Sequence, residues 1–198
     1  MEELTRVVVV GTSGAGKTTF SSRLADVLGT SHFELDSLFW NQNWVPKEMA
    51  EFRRLVEQAI AQERWVIDGN YGHVRDLVWP RATAVIWLNY SFLTIFWRIF
   101  RRTVSRAVRG TALYAGNRES LRKSFLSRDS ILWWMITTYV RRRRDYYALR
   151  AGNAFPHLAW LEFRRPRQAD EFLNSLAATA DNFPQITAPR PLDGPGPG

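Results

Sequence analysis

The chain alternates short, nearly unbroken apolar runs with longer stretches in which apolar residues return every three or four positions. The runs are "RVVVV" (6–10), "HFEL" (32–35), "WVID" (65–68), "TAVIWL" (83–88) and "HLAWLEF" (157–163). Continuous apolar character on both sides of the pleat predicts buried strands of a parallel sheet. The intervening stretches predict helices. One follows Thr18, with Phe20, Leu24, Val27 and Leu28 on a single face and Gly29 as its stop. A second opens at Pro46 and carries Met49, Phe52, Leu55/Val56 and Ala59/Ile60 on one face. Ser91 can cap a third, and further helices are expected over about 118–127, 129–150 and 167–178. Strands alternating with helices predict an α/β fold with a five-stranded parallel sheet covered on both faces. Ligands of such sheets bind at the carboxyl ends of the strands, where Gly11, Asp36 and Asp68 are expected.

With 198 residues, a length of about one domain, the chain is expected to form one unit over 1–178, followed by a Pro- and Gly-rich tail over 179–198 that reads as disordered. There are no cysteines, which excludes disulfides, thiol catalysis and cysteine-ligated metal and is compatible with a cytoplasmic location. The start, "MEELTRVVVVGTSG", is acidic with a short apolar run, so no secretory leader is expected. The longest uncharged stretch, Ala82–Trp97, is broken by Asn89-Tyr90-Ser91 and falls short of the ~20 residues a membrane span needs. Charge changes the picture more. Between Arg98 and Arg150 there are thirteen arginines and one lysine against three acids, a surplus of eleven, although the whole chain carries only +8. That segment is suited to polyanions such as nucleotide phosphates or nucleic acid.

"GTSGAGKT" (11–18) fits G-x-x-x-x-G-K-[ST] between a strand and an amphipathic helix. In such a loop the backbone amides turn around phosphate oxygens and the helix N-terminus adds its dipole. The expected nucleotide-binding set is therefore Gly11, Thr12, Ser13, Gly14, Ala15, Gly16, Lys17, Thr18 and the adjoining Thr19. Lys17 reaches the β/γ-phosphates of ATP, and the Thr18 hydroxyl sits on Mg²⁺. Asp68, ending a strand after Trp-Val-Ile, is the candidate second metal-holding acid. Gly69 then lets an acceptor approach the backbone, and Asn70 and Tyr71 offer polar groups beside it. Asp36 in "LDSLFWNQNW" either accepts a hydrogen bond from an acceptor hydroxyl or caps a helix. Phe39, Trp40 and Trp44 either line an acceptor pocket or belong to the core. The three histidines do not cluster at metal-ligand spacing, and no Ser-His-Asp signature occurs.

"GTSGAGKTT", "LDSLFWNQNW", "WVIDGNY" and the arginine-rich stretch before a late strand together resemble the adenylate-kinase-related P-loop kinases, in particular the DNA topology modulation protein branch. The resemblance spans about residues 5–178. It implies the nucleoside-monophosphate-kinase fold and phosphoryl transfer from ATP with Mg²⁺, with a mobile lid over about 102–142. Adenylate kinases carry D-G-F-P-R, whose arginine grips the acceptor phosphate. This chain has Asp68-Gly69-Asn70-Tyr71-Gly72, so Arg75 or Arg81 must substitute if the acceptor is a nucleotide. The lid of such kinases supplies arginines that neutralise the transferring phosphoryl. Arg98, Arg102, Arg106 and Arg109 share a helical face, and the resemblance singles out Arg102 and Arg106. Arg141 and Arg144 of "RRRRDYY" and Arg118 are further candidates. By the same resemblance Arg165 and Pro166 lie in the loop against the adenine. The reading is an ATP-dependent small-molecule kinase with an unidentified acceptor. A nucleic-acid-associated ATP-binding protein and a non-catalytic ATP-binding regulator are the alternatives.

Overall fold

The computed structural model describes residues 4–109 and 131–181. Five strands form one parallel sheet: β1 (Arg6–Gly11), β2 (Ser31–Glu34), β3 (Trp65–Asp68), β4 (Ala84–Leu88) and β5 (Ala159–Phe163). Their order is β2-β3-β1-β4-β5. The chain leaves β1 toward one edge, and after β3 it returns over β1 to build the other. This reversal opens a crevice at the carboxyl end of β1, between its neighbours β3 and β4.

The four valines of β1 show why the strand sits centrally. All are 0–2% exposed. Val7 and Val9 join the core on one face with Phe20 and Leu24 of α1 (Lys17–Leu28). Ile95 and Ile99 of α5 (Phe92–Arg109) and Ala169 and Leu173 of α7 (Pro166–Asp181) complete that layer. Val8 and Val10 point the other way, toward Leu35 of α2 (Leu35–Phe39), Phe52 and Val56 of α3 (Met49–Ala59), and Val78 of α4 (Arg75–Val78). Tyr146 of α6 (Ile131–Ala151) belongs to the same cluster. The period-2 alternation of a strand thus divides one apolar run between two helical layers.

Most elements fall where the hydrophobic pattern puts them, β3 to the residue. Most boundaries shift by a residue or two, and two of the shifts bear on the site. β2 ends at Glu34 rather than Leu35, and α2 begins at once, so Asp36 lies in the first turn of a helix and not at a strand end. The second helix starts at Met49 rather than Pro46, because Pro46 pairs with Trp40 in an antiparallel bridge that ties off the intervening loop. The helix expected over 118–127 and most of the 179–198 tail lie outside the described residues. No described helix is long and apolar enough to cross a membrane.

Candidate active site

The loop after β1 enters α1 through Gly16, whose left-handed backbone (φ 88) forms the N-cap; no side chain caps the helix. Its first-turn amides are therefore left to an anion, with the helix dipole behind them. Gly14 is required sterically: its φ is 83, and a Cβ there would overlap Ile99. From α5, Arg98 donates from Nη1 to the Ala15 carbonyl (2.6 Å) and lies over the Tyr90 ring at 5.4 Å. Burial pushes the Tyr90 phenol up to about 12, against the opposing pull of Arg98, so the ring stays neutral under the cation. Arg98 shares the predicted helical face, and the structure brings it to the phosphate loop. Arg102 and Arg106 follow on the same helix, but their side chains lie outside the described residues, as does Arg118. Thr19 is exposed on α1.

Asp68 ends β3 with 4% exposure and is fully engaged. Its Oδ2 accepts from the Thr18 hydroxyl (3.2 Å), and its Oδ1 lies 2.9 Å from His32 Nε2. Glu34 Oε2 stands 3.5 Å from the same Thr18 hydroxyl. Register explains the convergence: β2 pairs with β3 so that Glu34 lies opposite Asp68, and His32, two residues earlier, projects from the same face of β2. Thr18 and Asp68 are the pair expected from the sequence; Glu34 and His32, which stand beside them, are not among the expected residues. The H-x-E alternation on β2 was the available signal. A hydroxyl and two carboxylates at the foot of a phosphate loop are oxygen ligands of the kind Mg²⁺ takes, although no group of three or more His, Cys, Asp or Glu able to hold a metal ion occurs among the described residues. Mg²⁺ keeps waters and shares phosphate oxygens rather than demanding an all-protein cage.

Asp36 faces a different partner. Its Oδ1 accepts from the Tyr71 hydroxyl at 2.6 Å. Burial holds the Arg142 guanidinium below its ordinary range, while Tyr146, Asp36 and Tyr71 act in the opposite direction. Arg142 is half-buried on α6, whereas Arg141 and Arg144 are exposed. A helix can present only part of a four-arginine run to the body, and here the inward pair is Arg142 and Arg143. Arg143 donates to the Tyr139 hydroxyl (3.1 Å), which donates to the Tyr90 carbonyl (3.1 Å). Arg141, the residue expected from the sequence, is exposed beside them.

Asn70 engages Gly11 with both ends of its carboxamide, Oδ1 accepting from the amide (3.2 Å) and Nδ2 donating to the carbonyl (2.8 Å), which leaves Nδ2 one hydrogen. Gly69 (φ 147) leaves no room for an approaching ligand on its Cα, since a Cβ there would sit 2.7 Å from Leu35 Cβ. It is the packing of α2 that needs glycine. Arg81 is exposed just before β4, at the amino edge of the parallel sheet and about one strand length, ~17 Å, from the carboxyl ends. Arg75 takes the nearer place. It lies over Trp79 at 5.0 Å and lines a cleft with Leu35, Tyr71 and Tyr146. Trp40 is half-buried in an aromatic chain running Trp44, Trp40, Phe39, Tyr71, the first two pairs edge-to-face and the last tilted. Arg165 is exposed at the carboxyl end of β5, its amide bonded to Gln168 Oε1 at the start of α7 (3.0 Å).

No family model and no curated protein matches the chain. Solved structures do. A gluconokinase from Sinorhizobium meliloti 1021 is 16% identical over 92% of this chain and 97% of its own, with a TM-score of 0.50. A shikimate kinase from Acinetobacter baumannii, in complex with shikimate, is 13% identical over 90% and 96%, with a TM-score of 0.55. A shikimate kinase from Bacteroides thetaiotaomicron is 14% identical over 89% and 98%, with a TM-score of 0.50. The chain has the fold of these P-loop kinases.

Proposed function

We propose that this protein transfers the γ-phosphoryl group of Mg-ATP to a hydroxyl of a small acceptor. The observation that carries the reading is the approach of Thr18 to Asp68 at 3.2 Å beneath a glycine loop that opens on an uncapped helix N-terminus. The loop amides and Lys17 hold the triphosphate. Thr18 and Asp68 hold Mg²⁺, with Glu34 and His32 beside them. The metal, when bound, neutralises charge on the phosphates as it moves to the leaving group. Asp36 orients the acceptor hydroxyl, with Tyr71 and Arg142 setting its position. Arg98 steadies the loop, and Arg102 and Arg106 of α5 are assigned to the transferring phosphoryl. The adenine lies toward Arg165. Positioning and charge supply most of the rate enhancement, so no further base is required.

The absence of an arginine directly after D-G-N-Y favours a small hydroxyl compound over a nucleoside monophosphate, and Arg75, which lines the cleft, is the residue that would hold an anionic group of either acceptor. The neighbours include kinases of gluconate and shikimate by name, which agrees with that class. The adenylate-kinase-related, DNA topology modulation branch is the corresponding family assignment. The test is coupled ADP release from Mg-ATP over polyols, hydroxy acids, nucleosides and nucleoside monophosphates. One acceptor class should raise turnover well above basal hydrolysis, and Lys17→Ala should abolish that turnover with the fold intact. Undiminished turnover by a folded Lys17→Ala protein overturns the reading.

A second reading, nucleic-acid binding, is favoured by the exposure of Arg101, Arg141 and Arg144 within the +11 segment. It requires salt-sensitive binding to duplex DNA that falls when Arg141–Arg144 are neutralised.

A further inference from the structure

The phosphate loop is not held by its own helix alone. The β1–β3 ladder runs from Arg6↔Trp65 to Val9↔Asp68, and Gly69 N–H adds a last backbone bond to the Val9 carbonyl (3.3 Å). Beyond it the two strands must part to admit a ligand. At that point the Asn70 carboxamide stands in for a strand: Oδ1 accepts from Gly11 N–H (3.2 Å) and Nδ2 donates to the Gly11 carbonyl (2.8 Å). Gly11 is the last residue of β1 and the first of the loop, so these bonds set the direction in which the loop leaves the sheet.

A carboxamide oxygen has two lone pairs. The second is used by α6, whose Tyr146 hydroxyl donates to Asn70 Oδ1 at 2.8 Å. Tyr146 is 4% exposed, and its ring packs against Trp87 of β4 at 5.6 Å. Burial pushes its phenol up to about 12, so the hydroxyl keeps its proton at neutral pH. The donor and acceptor pattern admits only one orientation of the amide, and Tyr146 is the partner that enforces it from outside the β1–β3 pair. Arg142, one helical turn earlier on α6, is half-buried as well.

We propose that Tyr146 is a positioning residue for nucleotide binding: its hydroxyl fixes the Asn70 carboxamide, and Asn70 fixes the root of the phosphate loop at Gly11. Seating of the arginine-rich helix α6 against the sheet thereby sets the affinity for ATP. The inference rests on the reading that the loop holds a nucleoside triphosphate.

The experiment is calorimetric titration of the full-length chain with Mg²⁺ and an ATP analogue carrying a non-hydrolysable β–γ bridge. It needs no acceptor. Tyr146→Phe removes one hydroxyl and should weaken binding about three- to tenfold, the net worth of one hydrogen bond. Asn70→Ala should weaken it by about tenfold or more, because both bonds to Gly11 go. The double variant should bind within about twofold of Asn70→Ala, since the tyrosine acts only through the amide. Tyr147→Phe is the control. Its hydroxyl has two partners of its own, Asn89 and Glu162 (3.1 and 3.3 Å), and neither is in the loop. It should bind as wild type. Binding by Tyr146→Phe equal to wild type, losses that multiply in the double variant, or an equal loss in Tyr147→Phe each overturns the proposal. A wild-type chain that binds no analogue overturns the nucleotide reading itself, and this inference with it.

Discussion

The two acids nearest the chemistry are built in opposite ways. Asp68 ends a central strand, is 4% exposed, and has one oxygen on Thr18 and the other on His32. Asp36 sits in the first turn of a five-residue helix at the edge strand, half-exposed, with Tyr71 on one oxygen. A carboxylate locked on both oxygens suits a ligand that never changes, a metal ion with its phosphates. A carboxylate held at one oxygen, on a short helix beside a cleft, suits a ligand that differs from one kinase to the next. On the proposed reading, the rigid centre of the sheet carries the invariant half of the reaction and its margin the variable half.

Substitution tests that contrast directly. Asp68→Asn keeps the shape but removes the charge at the metal, and should lower turnover about 10³-fold whatever the acceptor. Its signature is a raised Mg²⁺ requirement, read by titrating Mg²⁺ at saturating ATP. Asp36→Asn should cost less, about 10²-fold in kcat/KM for the acceptor. Basal ATP hydrolysis and the Mg²⁺ requirement should stay near wild type. If Asp36→Asn instead shifts the Mg²⁺ titration as strongly as Asp68→Asn, both acids serve the metal and the division fails.

The same division governs what the sequence made legible. The phosphate loop, β3 and Asp68 were readable because their signals are local: a glycine pattern between a strand and a helix, and an acid closing an apolar run. The Asp36 side was only half readable. Nothing local marks Leu35 as the first residue of a helix, because "HFEL" is a good strand pattern until the pairing with β3 runs out at Asp68. Asn70 looked like a ligand group because it follows Asp68, yet its partner Gly11 lies 59 residues away. The burial of Arg142 beside an exposed Arg141 is likewise tertiary. Tyr139 and Tyr146 fix the rotation of α6 through Tyr90, Asn70 and Trp87, none of which a run of four arginines can report.

A third acid sharpens the comparison by being neither. Glu162 lies one residue before the end of β5, toward the same carboxyl edge as Asp68, and its oxygens are taken by Asn89 (2.7 Å), Tyr147 (3.3 Å), Arg164 (2.9 Å) and Arg150 (3.4 Å). Burial alone would raise this carboxyl, but the hydrogen bonds from Arg164 and Asn89 outweigh it and hold Glu162 below the usual glutamate range. A carboxyl with a depressed folded value stabilises the fold in its ionised form. The contribution is complete above its ordinary value near 4.5 and is lost as the pH falls through the lower folded value. Its arginine partners are largely exposed, so Glu162→Gln should cost only about 1 kcal/mol at neutral pH by denaturant unfolding. The gap from wild type should close as both proteins are taken into the acid range. Turnover should change little, because none of its partners, Asn89, Tyr147, Arg164 and Arg150, is assigned to the phosphates, the metal or the acceptor. A loss of activity as large as that of Asp36→Asn would place Glu162 among the working acids, and strand-end position would then no longer separate catalytic from structural carboxylates in this sheet.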